Sequence, residues 1–297
     1  MHEKRRETLF LNIILINKIC RAVLCVSSFL TVFFLADMSY AFFPGDSKIE
    51  KMATDNGFCR TDIKTNKFIL ASWWRFQADG DTVRIYIEGD GRAWKTKRKL
   101  SSDPTPRDPL AFKLAVGDRF PKIAYLSRPG QYVMKKEITY DPEYWSGKRF
   151  SEEVIESENE AVDEIKRSSG AKNVELIGYS GGGAVAVLVA ARRTDVVGLR
   201  TVAGNLDPEE VNKYHKVDQL AGSLDPMGSA SDIAYIPQRH FAGERDKTIP
   251  IFVTRMFARK AGDTNFKTVT VAEGATHHDG WVEKWPELLA VPLVSAR

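Results

Sequence analysis

The chain has 297 residues, 43% hydrophobic and 28% charged, enough for one large core and too few for two comfortable domains. Its net charge is +4, and half of that comes from the first 41 residues, where Lys4, Arg5, Arg6, Lys18 and Arg21 outnumber Glu3, Glu7 and Asp37. So small a surplus over the remaining chain gives no electrostatic case for a nucleic-acid partner.

The chain opens on a leader. Basic residues precede Ala22–Leu35, a mostly apolar run of fourteen, and Ser39-Tyr40-Ala41 offers small side chains at the −3 and −1 positions of a cleavage site before Phe42. The run is shorter than the roughly 20 residues of a membrane span. It predicts a signal peptide over residues 1–41 and an exported protein, periplasmic or secreted. The alternative is an uncleaved anchor, lengthened by the apolar patch Leu9–Ile16, which would then be the membrane contact of the chain. Neither Cys20 nor Cys25 follows the small residue of a lipoprotein cleavage site. Without the leader Cys59 is the only cysteine, read as a buried or tolerated thiol, so neither an internal disulfide nor a cysteine metal cluster is expected.

Residues 42–65 show no clear period and read as an irregular lead-in. Lys67–Phe76 and Thr82–Ile87, joined through Asp79-Gly80, predict a β-hairpin. Glu88-Gly89-Asp90-Gly91 is a flexible turn at its end. A proline-punctuated loop, Pro104–Pro109, precedes a helix over Leu110–Ala115. Lys122–Leu126 is a strand closed by Arg128-Pro129-Gly130. Tyr132, Tyr140, Tyr144, Trp145 and Phe150 are expected as a group along one wall of a cleft, although each singly reads as packing. Ser151–Ser168 is a helix with Ser151 as N-cap, acidic residues in its first turn and Gly170 as its stop.

The next stretch carries the chemistry. Val174–Ile177 is a short buried strand, Gly182–Arg192 an apolar helix, and Gly178-Tyr179-Ser180-Gly181-Gly182 between them matches G-x-S-x-G. A serine at a sharp strand-to-helix turn needs glycine two positions either side, because side chains there would collide. The turn also sets Ser180 at a helix N-terminus, which favours developing negative charge. Val197–Ala203 is the following strand, closed by Asn205–Pro208. Residues 207–237 are polar and longer than a simple crossover, which predicts a small cap-like insertion. Ile236–Ala242 and Phe266–Val271 are strands around a helix over Pro250–Lys260, and a last helix, Trp281–Ala290, is expected to be interrupted at Pro286. This alternation predicts an α/β fold with a mostly parallel central sheet, helices on both faces, and one domain over residues 42–297.

A serine hydroxyl is a weak nucleophile until a base takes its proton and a third group orients that base. Downstream, Gly243–Pro250 offers Asp246 after one strand, and Glu273–Trp281 offers His277 and His278 after the next. His240 lies within a strand and reads as a core histidine; His215 reads as surface or cap. With these three motifs in this order, the chain resembles the α/β-hydrolase fold superfamily over about residues 66–292.

The resemblance implies Ser180 as nucleophile, Asp246 as orienting acid and His277 as general base. It prefers His277 to His278 because His277 falls three residues after Gly274, as in that family's loop. Asp207 is the reserve acid, since some members place the acid after the preceding strand. The oxyanion hole would use the backbone N–H groups of Gly181 and Asp90. Members commonly carry His-Gly before the second donor; here Glu88 stands in place of the histidine, and Glu88 and Asp90 are expected to pair with Arg92 or Arg128. The implied activity is that of a serine hydrolase acting on a small acyl compound, most simply an ester, through an acyl-enzyme and without metal or organic cofactor. The alternatives are an acyltransferase or amidase on the same triad, or a non-catalytic binding protein on the same scaffold.

Overall fold

The computed structural model describes residues 44–96, 99–133 and 138–296, and the leader lies outside them. Helix α1 (Pro44–Asp55) leads into a hairpin of β1 (Cys59–Lys64) and β2 (Ile69–Phe76), in register from Cys59 opposite Trp74 to Lys64 opposite Ile69. This corrects the irregular reading of residues 42–65. β1 is an edge strand in which only Ile63 is buried, so it carries no apolar period to find, and Cys59 at its start is exposed.

The chain continues through β3 (Thr82–Ile87), a two-stranded ribbon of β4 (Trp94–Thr96) and β5 (Lys99–Leu100), α2 (Leu110–Gly117), β6 (Lys122–Leu126) and α3 (Glu152–Ser169). Then come β7 (Asn173–Tyr179), α4 (Gly181–Ala190), β8 (Val196–Val202), α5 (Pro208–His215), β9 (Gln238–Gly243), α6 (Ile251–Lys260), β10 (Val269–Ala272) and α7 (Trp285–Ala290). Among the described residues eight strands form one sheet in the order β1-β2-β6-β3-β7-β8-β9-β10. From β6 to β10 every neighbouring pair is parallel. The mostly parallel sheet with helices on both faces is thus the one observed.

The predicted hairpin between β2 and β3 does not form. β6 inserts between them, antiparallel to β2 and parallel to β3. Val83, Ile85, Tyr86 and Ile87 of β3 are fully buried, so β3 is a central strand that takes a parallel neighbour on each side. Its side chains alternate between two cores. Val83, Ile85 and Ile87 join Val154, Ile165, Val185 and Phe257 on the face of α3, α4 and α6. Tyr86 turns to Trp73, Phe112, Tyr125 and Trp285 on the face of α1, α2 and α7. Each large apolar side chain so buried contributes about 1.5–3 kcal/mol.

Local chemistry fixes the helix ends. Gly170 closes α3 in the left-handed region at φ 65°. Pro286 does not interrupt the last helix; it sits in the first turn of α7, where its missing N–H leaves no bond unmade. All of α4 is buried, which is why it holds only Gly, Ala, Val and Leu. Within residues 207–237, Ala230, Ile233, Ala234 and Ile236 pack into the core beside α4. The aromatic group takes packing roles: Tyr140 and Tyr144 meet the edge of Phe68, and Tyr132 meets Trp73. No helix among the described residues is long and apolar enough to cross a membrane.

Candidate active site

In an open parallel sheet the loops beyond the strand C-termini gather around the point where strand order reverses, here β3 with β6 on one side and β7 on the other. Ser180, Asp90, Asp246 and His277 all follow such C-terminal ends. Ser180 stands between β7 and α4 at φ 52° and ψ −119°, a conformation that costs a non-glycine residue about 1–3 kcal/mol. Its N–H donates to the Val202 carbonyl, and its own carbonyl accepts from Gly183 and Asn205. A Cβ on Gly178 would lie 2.7 Å from Gly183 Cα, and one on Gly182 2.8 Å from the Ile87 carbonyl carbon. The glycines therefore let the turn fold back on itself and press against the end of β3.

Ser180 Oγ lies 3.0 Å from His277 Nε2, and His277 Nδ1 lies 2.9 Å from Asp246 Oδ2. The other Asp246 oxygen accepts the N–H groups of Thr248 and Ile249, each at 2.8 Å. The Asp246 side chain is fully buried and that of His277 nearly so. The His277 carbonyl accepts from Trp281 Nε1 and from the Tyr179 hydroxyl, which ties the loop to the strand before the serine. His278 meets neither Ser180 nor Asp246; its Nδ1 lies 2.7 Å from Tyr179 Oη. Asp207 accepts the Glu210 N–H as the N-cap of α5. His240 is buried between Thr201 and Gln238, and burial pushes its pKa down to about 3. His215 is exposed and donates from Nε2 to the Thr248 carbonyl.

Loop 88–91 forms the opposite wall. A Cβ on Gly89 would lie 3.1 Å from Ser180 Cβ. The Gly89 carbonyl accepts from Gln131 Nε2, and its N–H donates to the Glu88 carboxyl. With the Gly89 amide so engaged, the Asp90 amide is the next along the loop. Gly181 begins α4, and the first N–H groups of a helix have no partner within it.

Glu88 turns away from the serine. It is fully buried at the start of α2, accepting from Ala111 N and from the Tyr125 hydroxyl. Burial pushes its pKa up to about 7, against the pull of those hydrogen bonds. Among the described residues it pairs with no arginine, which corrects that expectation. Asp90 does pair, with Arg149 at 3.1 Å and Arg128 at 3.6 Å, and Arg92 is not its partner. Arg149, Gln131 and the Tyr179 hydroxyl carried no sequence signal as site residues. Only Arg128 did, through its place in the turn after β6. Among the described residues no group of three or more His, Cys, Asp or Glu is arranged to hold a metal ion.

No protein-family model and no curated protein matches the sequence. Among solved structures, the chain is similar to Est1E from Butyrivibrio proteoclasticus, at 13% identity and a TM-score of 0.53 over 77% of this chain and 95% of that one. It is similar to the esterase Pf2001 from Pyrococcus furiosus, at 14% identity and a TM-score of 0.54 over 82% and 94%. It is also similar to an alpha-beta serine hydrolase homologue from Coxiella burnetii, at 16% identity and a TM-score of 0.50 over 77% and 93%. The chain has the α/β-hydrolase fold.

Proposed function

We propose that the protein is a serine hydrolase that cleaves an ester or other small acyl compound through an acyl-enzyme. The observation that carries this reading is the hydrogen-bonded chain from Ser180 through His277 to Asp246, with Ser180 held in a strained turn at the start of α4. A solved structure of the same fold that is named as an esterase adds support.

Ser180 Oγ attacks the acyl carbon while His277 Nε2 takes its proton. Asp246 holds Nδ1–H and stabilises the imidazolium that forms. The carbonyl oxygen becomes an oxyanion between the N–H groups of Gly181 and Asp90, where fixed donors are worth about 3–4 kcal/mol each. As the tetrahedral species collapses, His277 Nε2–H protonates the leaving oxygen. Water then attacks the acyl-enzyme by the same route in reverse and frees Ser180. Removal of the leader would place this chemistry in the periplasm or the medium.

The test is hydrolysis of a 4-nitrophenyl ester series by the purified protein and by Ser180→Ala, with fluorophosphonate labelling of both. Labelling and turnover lost together in the variant support the reading. Full esterase activity in Ser180→Ala overturns it.

A further inference from the structure

The second proposed oxyanion donor, the Asp90 N–H, belongs to a peptide that its own chain does little to orient. Gly89 has no side chain, so the peptide joining it to Asp90 can turn over at small cost. That peptide is planar and trans, and its carbonyl and N–H point in opposite directions. Whatever holds the Gly89 carbonyl therefore aims the Asp90 N–H.

Gln131 holds it. Its Nε2 donates to the Gly89 carbonyl at 2.9 Å, and its Oε1 accepts the Arg128 N–H at 3.1 Å. The Gln131 N–H donates in turn to the Arg128 carbonyl, so the side chain is folded back on the turn after β6, where it is fully buried. Gly91 leaves the space: a Cβ there would lie 2.7 Å from Gln131 Nε2. The loop is tied on its other sides as well. The Glu88 N–H donates to the Leu126 carbonyl, the Arg92 N–H to the Pro104 carbonyl, and the Asp90 carboxylate is ion-paired with Arg149 at 3.1 Å. Among the described residues the Asp90 N–H has no acceptor, as an amide kept for an oxyanion requires.

From this geometry we infer that Gln131 is a positioning residue for the reaction: by holding the Gly89 carbonyl it keeps the Asp90 N–H directed at the oxyanion. The inference rests on the serine-hydrolase reading and adds to it a residue that touches no substrate atom. Without the Gln131 donor the Gly89 carbonyl is a buried acceptor with no partner. Turning the peptide over relieves that cost, but it takes the N–H away from the oxyanion and brings a carbonyl oxygen towards it.

The experiment compares the full-length protein with Gln131→Met, which fills the space without a donor, and Gln131→Asn, whose amide stops one methylene short. Sites are counted by fluorophosphonate labelling taken to completion. Each protein is read by kcat/KM on 4-nitrophenyl hexanoate, by its rate of labelling, and by protection from labelling with 1,1,1-trifluorooctan-2-one or octan-2-one. Ser180 Oγ adds to the carbonyl carbon of the trifluoroketone, its proton passes to His277 Nε2, and the ketone oxygen becomes an oxyanion. Octan-2-one, far less electrophilic, binds as the neutral ketone. Per labelled site, both variants are expected to lose about 10- to 100-fold in kcat/KM and in labelling rate, less than removal of a whole donor costs. The trifluoroketone should weaken by a similar factor and octan-2-one by less than about threefold, because only the first carries the charge of the transition state. A folded variant that keeps kcat/KM and labelling rate within about twofold of the wild type overturns the inference. So does equal weakening of the two ketones, the sign of a pocket disturbed as a whole. Either variant decides alone where the other does not fold. A wild type that fluorophosphonate does not label would instead overturn the serine reading itself.

Discussion

Tyr179 Oη stands 2.7 Å from His278 Nδ1 and directs its one proton to the His277 carbonyl, 3.1 Å away. His278 Nδ1 must then donate to the phenol oxygen. Burial, helped by the neighbouring His277, lowers the pKa of His278, which keeps it neutral in this role. Two adjacent histidines thus have different duties: His277 faces the nucleophile, and His278 steadies the loop that carries it.

A split between the two histidines follows. His277→Ala removes the base and is expected to lower kcat about 10,000-fold or more. His278→Ala removes one hydrogen bond from a supporting pair and should cost roughly tenfold at most. His278→Asn, whose amide can replace the Nδ1 donor, should return most of that loss. Steady-state kinetics on one 4-nitrophenyl ester decide the matter. Equal losses in His277→Ala and His278→Ala would show that the assignment of base is wrong.

The two candidate acids separate by a different pair of measurements. Asp246 is buried against His277 and two backbone amides, whereas Asp207 caps α5. Asp246→Asn should lower kcat about 10,000-fold, since an amide no longer holds the Nδ1–H tautomer. Asp207→Ala should leave kcat unchanged and lower stability by about 1 kcal/mol, the usual worth of an N-cap, read from urea unfolding. A large kcat loss in Asp207→Ala would move the acid to the end of β8.

What the sequence could reveal divides by range. The turn at Ser180 was legible because its glycine demand is local, and the backbone itself forces it. Asp246 and His277 were legible because each lies in its own short turn after a strand. The insertion of β6 between β2 and β3 was not, since strand order depends on pairings far apart in the chain. β1 stayed hidden because an edge strand has little to bury. The pairing of Asp90 with Arg149 is of the same long-range kind: nothing beside either residue announces the other. Glu88 looked like a second negative charge in the oxyanion loop, and only its burial shows it facing α2 instead.

That burial makes Glu88 a source of pH-dependent stability. Its pKa rises from 4.5 to about 7 on folding, chiefly because the buried charged form is desolvated. Across that window the folded protein holds a proton that the unfolded chain has released. Stability therefore falls as pH rises from 4.5 towards 7, and the deficit is complete above the folded value. Its full size is about 3 kcal/mol by the linkage of pKa to free energy. Glu88→Gln keeps an acceptor for the Gly89 and Ala111 amides and gives Tyr125 a donor in place of the carboxylate. The variant should therefore fold and lose the Glu88 share of the slope, while buried Glu158, also raised to about 7, keeps its own. Urea unfolding of both proteins at about pH 5 and pH 8 tests this. The gain of Glu88→Gln over the wild type should be larger at the higher pH. A difference that does not change with pH would mean that Glu88 is ionised in the fold and that α2 and Tyr125 stabilise its charge.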